Sequence, residues 1–200
     1  EFLAFPHLSS PSCYGFRMES ASLRYRTTDP ELQGKFGPHN GSGMFRFAQD
    51  SHHYQCIPGK AFSGLTRVVW ELTAVRRGTG GTLLATGSHK AAYTSPESTQ
   101  DPDSAVWETY DCPAGSVLFF TEALAHSTAP WTNEQNPRVS IFNLYNSVGS
   151  RWGSWDPPEE LTQQMPAMRQ TLFRGTHCAD NVPGYRYGGQ NQQDRQPLEG

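Results

Sequence analysis

Apolar and polar positions alternate along this chain in short runs. From Phe16 to Thr27, Ala21, Leu23 and Tyr25 are set against Ser22, Arg24 and Arg26, which predicts a strand with one wet face. Met44 to Tyr54 alternates in the same way, and Leu65 to Val75 (LTRVVWELTAV) is the most β-prone run of the chain, predicting a central strand. Shorter strands are predicted at Thr82 to Thr86 and at Ala105 to Tyr110. Ser116 to Thr121 follows a Pro-Ala-Gly turn, and from Val139 to Tyr145 the residues Val139, Ile141 and Asn143 interleave with Ser140, Phe142 and Leu144, so both read as strands. The tail changes period. Leu161, Met165, Met168 and Leu172 recur at roughly helical spacing behind Pro157-Pro158-Glu159-Glu160, and Pro166 is expected to kink or split that helix. Strand after short strand with one helix predicts a mainly β fold, a double-stranded β-helix or jelly roll with a short C-terminal helix. The expected organisation is an irregular lead-in over residues 1–15, one domain over 16–174, and a loose tail over 175–200 that is rich in Gly, Gln, Asn and Asp.

Composition narrows the function. A chain of 200 residues buries roughly 70% of its unfolded surface, enough for one core and too little for a second catalytic domain. A net charge of -3 gives no electrostatic grip on nucleic acid, and no apolar run reaches the length of a membrane span. The cytoplasm is the expected compartment. The chain begins Glu-Phe-Leu rather than with Met, so a targeting segment upstream stays open. Cys13, Cys56, Cys112 and Cys178 form no Cys-x-x-Cys pair, which argues for thiols over a zinc knuckle or a redox motif.

The candidate chemistry lies between Pro113 and Tyr145. His126 opens a polar loop after the Ser116 strand and Arg138 begins the strand that follows, so an antiparallel pair brings an imidazole and a guanidinium within one small ligand of each other. Neutral imidazole is the commonest metal ligand, and a guanidinium forks onto a carboxylate. A metal beside a carboxylate clamp points to an oxygenase with an organic acid as co-substrate.

Around these residues the chain resembles the phytanoyl-CoA dioxygenase family of iron(II) and 2-oxoglutarate enzymes. The resemblance rests on Trp70, Gly80-Gly81, Gly87-Ser88-His89-Lys90, Ala114-Gly115-Ser116, His126-Ser127-Thr128 and Arg138, which occur in the family's order over roughly residues 36–150. It implies the jelly roll again, and oxidation, most simply hydroxylation, of a small organic substrate. It also implies His126 as one metal ligand, and Arg138, Thr128 and Trp70 as contacts of 2-oxoglutarate. The family's second histidine belongs to a His-x-Asp element that this chain lacks. His39, in the loop GKFGPHNGSG, is the best candidate for that position, with His52 and His53 as rivals. The carboxylate of the 2-His-1-carboxylate site comes either from Asp50 or from no protein residue, since Gly41 stands where the acid is expected, as in the related iron halogenases. A jelly roll that binds without catalysis is the alternative from another class.

Overall fold

The computed structural model describes residues 11–39, 54–90 and 96–176. Its strands are β1 (Phe16–Arg26), β2 (Tyr54–Ile57), β3 (Lys60–Ser63), β4 (Thr66–Glu71), β5 (Gly81–Leu84), β6 (Ser116–Thr121), β7 (His126–Ala129) and β8 (Arg138–Ser147). One antiparallel sheet has the order β1-β8-β4-β6, while β5 pairs with β7 and β2 with β3. Isolated bridges extend the β5–β7 pair on both sides, His39 onto His126 and Glu108 onto Leu84. That second layer faces the four-stranded sheet and completes a jelly roll. Its core is Val69, Phe120 and Leu124, with Leu84, Leu118 and Phe142 packed around them.

Three expectations on secondary structure change. The segment 105–110 forms no strand; its backbone pairs through the single Glu108 bridge onto Leu84, after a turn in which Trp107 N–H donates to the Ser104 carbonyl. His126 starts β7 instead of a loop, because His39 and β5 between them supply hydrogen-bonding partners to a run, His-Ser-Thr-Ala, that is too polar to read as a strand. β6 and β8 are not neighbours, since β4 lies between them, and His126 and Arg138 approach across the two layers of the roll instead.

β5 is seated by a glycine. A Cβ on Gly80, whose φ is +105°, would stand 2.3 Å from the Pro130 carbonyl oxygen, so the chain passes this close only without a side chain. The C-terminal helix is split as Pro166 requires, into α1 (Glu159–Gln163) and α2 (Ala167–Gln170). Residues 11–15 are tied to this end, where Tyr14 N–H donates to Thr171 Oγ1, and Cys13 is buried. Cys13, Cys56 and Cys112 are free thiols, and Cys178 lies outside the described residues. Among the described residues no helix is long and apolar enough to cross a membrane.

Candidate metal centre

Two histidines meet at the mouth of the roll. His39 and His126 exchange both backbone hydrogen bonds, 3.0 and 2.9 Å, and this antiparallel bridge puts them directly opposite each other on one face, with ring centroids 4.1 Å apart. Each ring is oriented through Nδ1, against the Leu124 carbonyl at 2.7 Å for His126 and the Gly37 carbonyl at 2.9 Å for His39. A carbonyl only accepts, so Nδ1 carries a proton in each ring and Nε2 is the nitrogen turned toward the site, the arrangement that metal-binding histidines use. Burial pushes the His126 pKa down to about 4, against the pull of Glu122, so the buried ring is neutral at physiological pH.

The third member is Glu122, which the sequence reading did not single out. It sits in the turn between β6 and β7, four residues before His126, and is buried. Arg67 holds its Oε1 with Nε at 2.7 Å and Nη2 at 2.6 Å, leaving Oε2 free to face His126 Nε2 at 3.5 Å. The ligand atoms of His39, Glu122 and His126 all lie within 4.8 Å of one another. A lone pair on Nε2 and a carboxylate oxygen repel unless a proton or a cation stands between them. With His126 neutral, the arrangement calls for a cation. Two imidazoles and one carboxylate are the donor set of a non-heme iron(II) site, and the residues present fit that metal. Gly41, Asp50, His52 and His53, the other candidates for this shell, lie outside the described residues.

Beside the cluster is a cavity of about 240 Å³ whose lining includes Arg24, Arg26, Arg67, Thr128, Arg138 and Phe142. β4 and β8 build its floor. Glu71 lies opposite Ser140, so Arg138 is diagonally across on the same face, and the two form a buried bidentate pair, Nη2 to Oε1 at 2.5 Å and Nε to Oε2 at 3.1 Å. Nη2 also donates to Thr82 Oγ1 and to the Tyr110 hydroxyl, which in turn donates to Glu71 at 2.6 Å. Burial works against the Arg138 charge, but the bonds to Glu71 and Tyr110 outweigh it and hold the guanidinium above its ordinary pKa. Nη1 takes part in none of these bonds, so it is the edge left for a ligand. The guanidinium lies 5.6 Å from the Phe142 ring centroid, which walls the cavity.

Of the residues expected from sequence, His39, His126, Thr128 and Arg138 line this one cavity. Trp70 does not. Successive β4 residues alternate between faces, and with Val69 and Glu71 fully buried Trp70 points outward, 43% exposed. Trp70→Ala is expected to leave ligand affinity at the cavity unchanged within about twofold, and to cost about 0.2–1 kcal/mol of stability through its cross-strand contacts with Val117 and Ile141. Titration calorimetry and thermal melting check both.

A jelly roll with two histidines and a carboxylate gathered at its mouth, beside an arginine-lined cavity, has the architecture of the non-heme iron oxygenases. The model of the family described as Phytanoyl-CoA dioxygenase (PhyH) matches residues 26–140, and the chain belongs to that family. No curated protein matches it by sequence. Among solved structures it is similar to HygX from Streptomyces hygroscopicus with iron bound, at 18% identity and a TM-score of 0.56 over 73% of this chain and 64% of that one. HygX with nickel and 2-oxoglutarate bound superposes with a TM-score of 0.56 and 17% identity over 81% of this chain and 66% of that one. A third HygX structure, with nickel, 2-oxoglutarate and hygromycin B bound, gives 0.56 at 19% identity over 73% of this chain and 62% of that one. The chain thus spans just under two thirds of the iron-bound relative, and the likeness is one of fold.

Proposed function

We propose that this protein is an iron(II)- and 2-oxoglutarate-dependent oxygenase that oxidises, most simply hydroxylates, a small organic molecule. The observation that carries the reading is the opposed pair of acceptors, His126 Nε2 and Glu122 Oε2, with His39 beside them, in a pose that a cation satisfies. His39, His126 and Glu122 are the residues that would hold iron. Arg138 Nη1 and the Thr128 hydroxyl bind the far carboxylate of 2-oxoglutarate, and Phe142 screens that ion pair from water. When bound, iron(II) with 2-oxoglutarate supplies dioxygen-driven oxidation of a C–H bond, with succinate and carbon dioxide as co-products.

The chain's own residues do the positioning. Leu124 and Gly37 fix the ring orientation of the two histidines, and Arg67 fixes the Glu122 carboxylate. Glu71, Tyr110 and Thr82 lock Arg138 so that its free edge is directed before the ligand arrives, which lowers the entropy cost of binding. Purified protein given iron(II), 2-oxoglutarate and dioxygen is expected to form succinate, and absence of both iron binding and 2-oxoglutarate turnover would overturn the reading. Thr128→Val removes one hydroxyl donor without changing the side-chain shape, so 2-oxoglutarate affinity is expected to fall about tenfold with iron affinity retained. Calorimetric titration of each component into the same variant checks it.

Two other readings lose support. An inert binding domain has no need of two imidazoles and a buried carboxylate facing one point. The halogenase reading rests on Gly41 and a missing acid, and Glu122 supplies an acid from elsewhere in the fold.

A further inference from the structure

The arginines of the cavity are not all matched by acids. Arg67 is paired with Glu122 and Arg138 with Glu71, both carboxylates being buried. Arg24 and Arg26 line the same cavity and have no acidic partner among the described residues. Arg26 is the nearer of the two to the buried end. It stands opposite Arg138 in the β1–β8 register, on the same face of the sheet, while Arg24 stands opposite Ser140 and is exposed. Burial and the like charges of Arg24 and Arg138 all work against the Arg26 guanidinium.

A glycine fixes where Arg26 points. Arg26 Nε and Thr128 Cγ2 each lie 2.9 Å from the position a Cβ of Gly34 would occupy, so the two side chains flank that residue's bare Cα, which has a φ of +83°. The Gly34 loop therefore brings the Arg26 and Thr128 side chains to the same bare Cα, and both line the cavity with Arg138, the cross-strand partner of Arg26. Arg138 has only Nη1 to give, because Nε and Nη2 are committed to Glu71, Thr82 and Tyr110. One edge of one guanidinium does not make a bidentate clamp.

We infer that Arg26 is the second arm of a split clamp, and that it binds the far carboxylate of the 2-oxo diacid together with Arg138 and Thr128. Two guanidinium groups that repel each other when the cavity holds water are drawn onto one carboxylate, and the anion relieves their repulsion. Selectivity follows. A 2-oxo acid without a second carboxylate leaves Arg26 without an anion beside the Glu71-paired Arg138, so the cavity discriminates against it more strongly than Arg138 alone would. The inference rests on the oxygenase reading above, and adds to it which residue of β1 selects the diacid.

The test compares two ligands on two proteins. Wild type and Arg26→Gln, each loaded with iron(II) under anaerobic conditions, are titrated by calorimetry with 2-oxoglutarate and with 2-oxobutyrate, which lacks the far carboxylate. Arg26→Gln is expected to weaken 2-oxoglutarate by about ten- to a hundredfold, the effect of one lost charge-assisted hydrogen bond, and to leave 2-oxobutyrate within about twofold. Arg26→Lys keeps the charge without the planar fork and is expected to fall between. Equal weakening of both ligands would overturn the proposal and make Arg26 a residue of the fold or of the general field; so would no weakening of either. Iron-loaded wild type that binds neither keto acid would remove the oxygenase reading and the clamp together, whereas wild type and Arg26→Gln that bind 2-oxoglutarate equally well would remove the clamp alone.

Discussion

Glu122→Gln is expected to lower iron affinity by about a hundredfold while the protein stays folded. Partners that only orient a metal ligand are worth about ten- to a hundredfold in affinity, so losing an anionic ligand outright belongs at or beyond the upper end of that range. The amide has the same shape and still accepts a hydrogen bond from Arg67. What disappears is the negative charge that a dication needs opposite the two imidazoles. The structural cost is smaller. Arg67 is partly exposed, so its lost ion pair is worth about 1 kcal/mol, which in a chain of this size moves the thermal midpoint by about 2–4 °C. Asp50→Asn is expected to leave iron affinity unchanged. The reverse pattern, loss with Asp50→Asn and none with Glu122→Gln, would reduce Glu122 to a partner of Arg67 and assign the carboxylate to Asp50.

Why Glu122 escaped the sequence reading is physical. The family pattern searches for the acid two residues after the first histidine, and in that register this chain has Gly41. The signal that was present is an isolated acid within an otherwise apolar stretch, FFTEALAH, where burial of a carboxylate requires a cation or a donor. Glu71 carries the same signal inside the most β-prone run of the chain, where it ends β4, and it too is buried with an arginine. Trp70 was misplaced because both faces of a central strand are largely apolar. Alternation then does not say which residue faces in, and only the buried charge of Glu71 settles it. By contrast β6 was legible to the residue, since a β-branched and aromatic run follows a Pro-Ala-Gly turn. His126 and Arg138 were legible as a pair, although their route to one cavity runs through β7, whose four residues form a strand only because β5 on one side and His39 on the other supply its hydrogen-bonding partners.

The largest effect on stability is expected from Glu71→Ala. Glu71 is fully buried, and Arg138 nearly so, and their pair has no solvent to fall back on. Removing one partner of a buried pair leaves an unpaired charge, which costs about 3–5 kcal/mol. For a chain of this size that lowers the thermal midpoint by about 6–20 °C. The Tyr110 hydroxyl offers little relief. It is held neutral by burial and by the Glu71 carboxylate, and without Glu71 it can only accept from Arg138, not balance its charge. A double variant separates stability from recognition. Glu71→Leu with Arg138→Met replaces the pair by apolar groups of similar bulk, a change that is often neutral or stabilising in buried pairs, so most of the lost midpoint is expected to return. Binding of 2-oxoglutarate is expected to stay lost in that variant, because the edge that receives the far carboxylate is gone. Recovery of both stability and 2-oxoglutarate affinity would show the pair to be packing and nothing more. Recovery of stability alone means that the pair is kept for what Arg138 holds, with Glu71 as the residue that aims it.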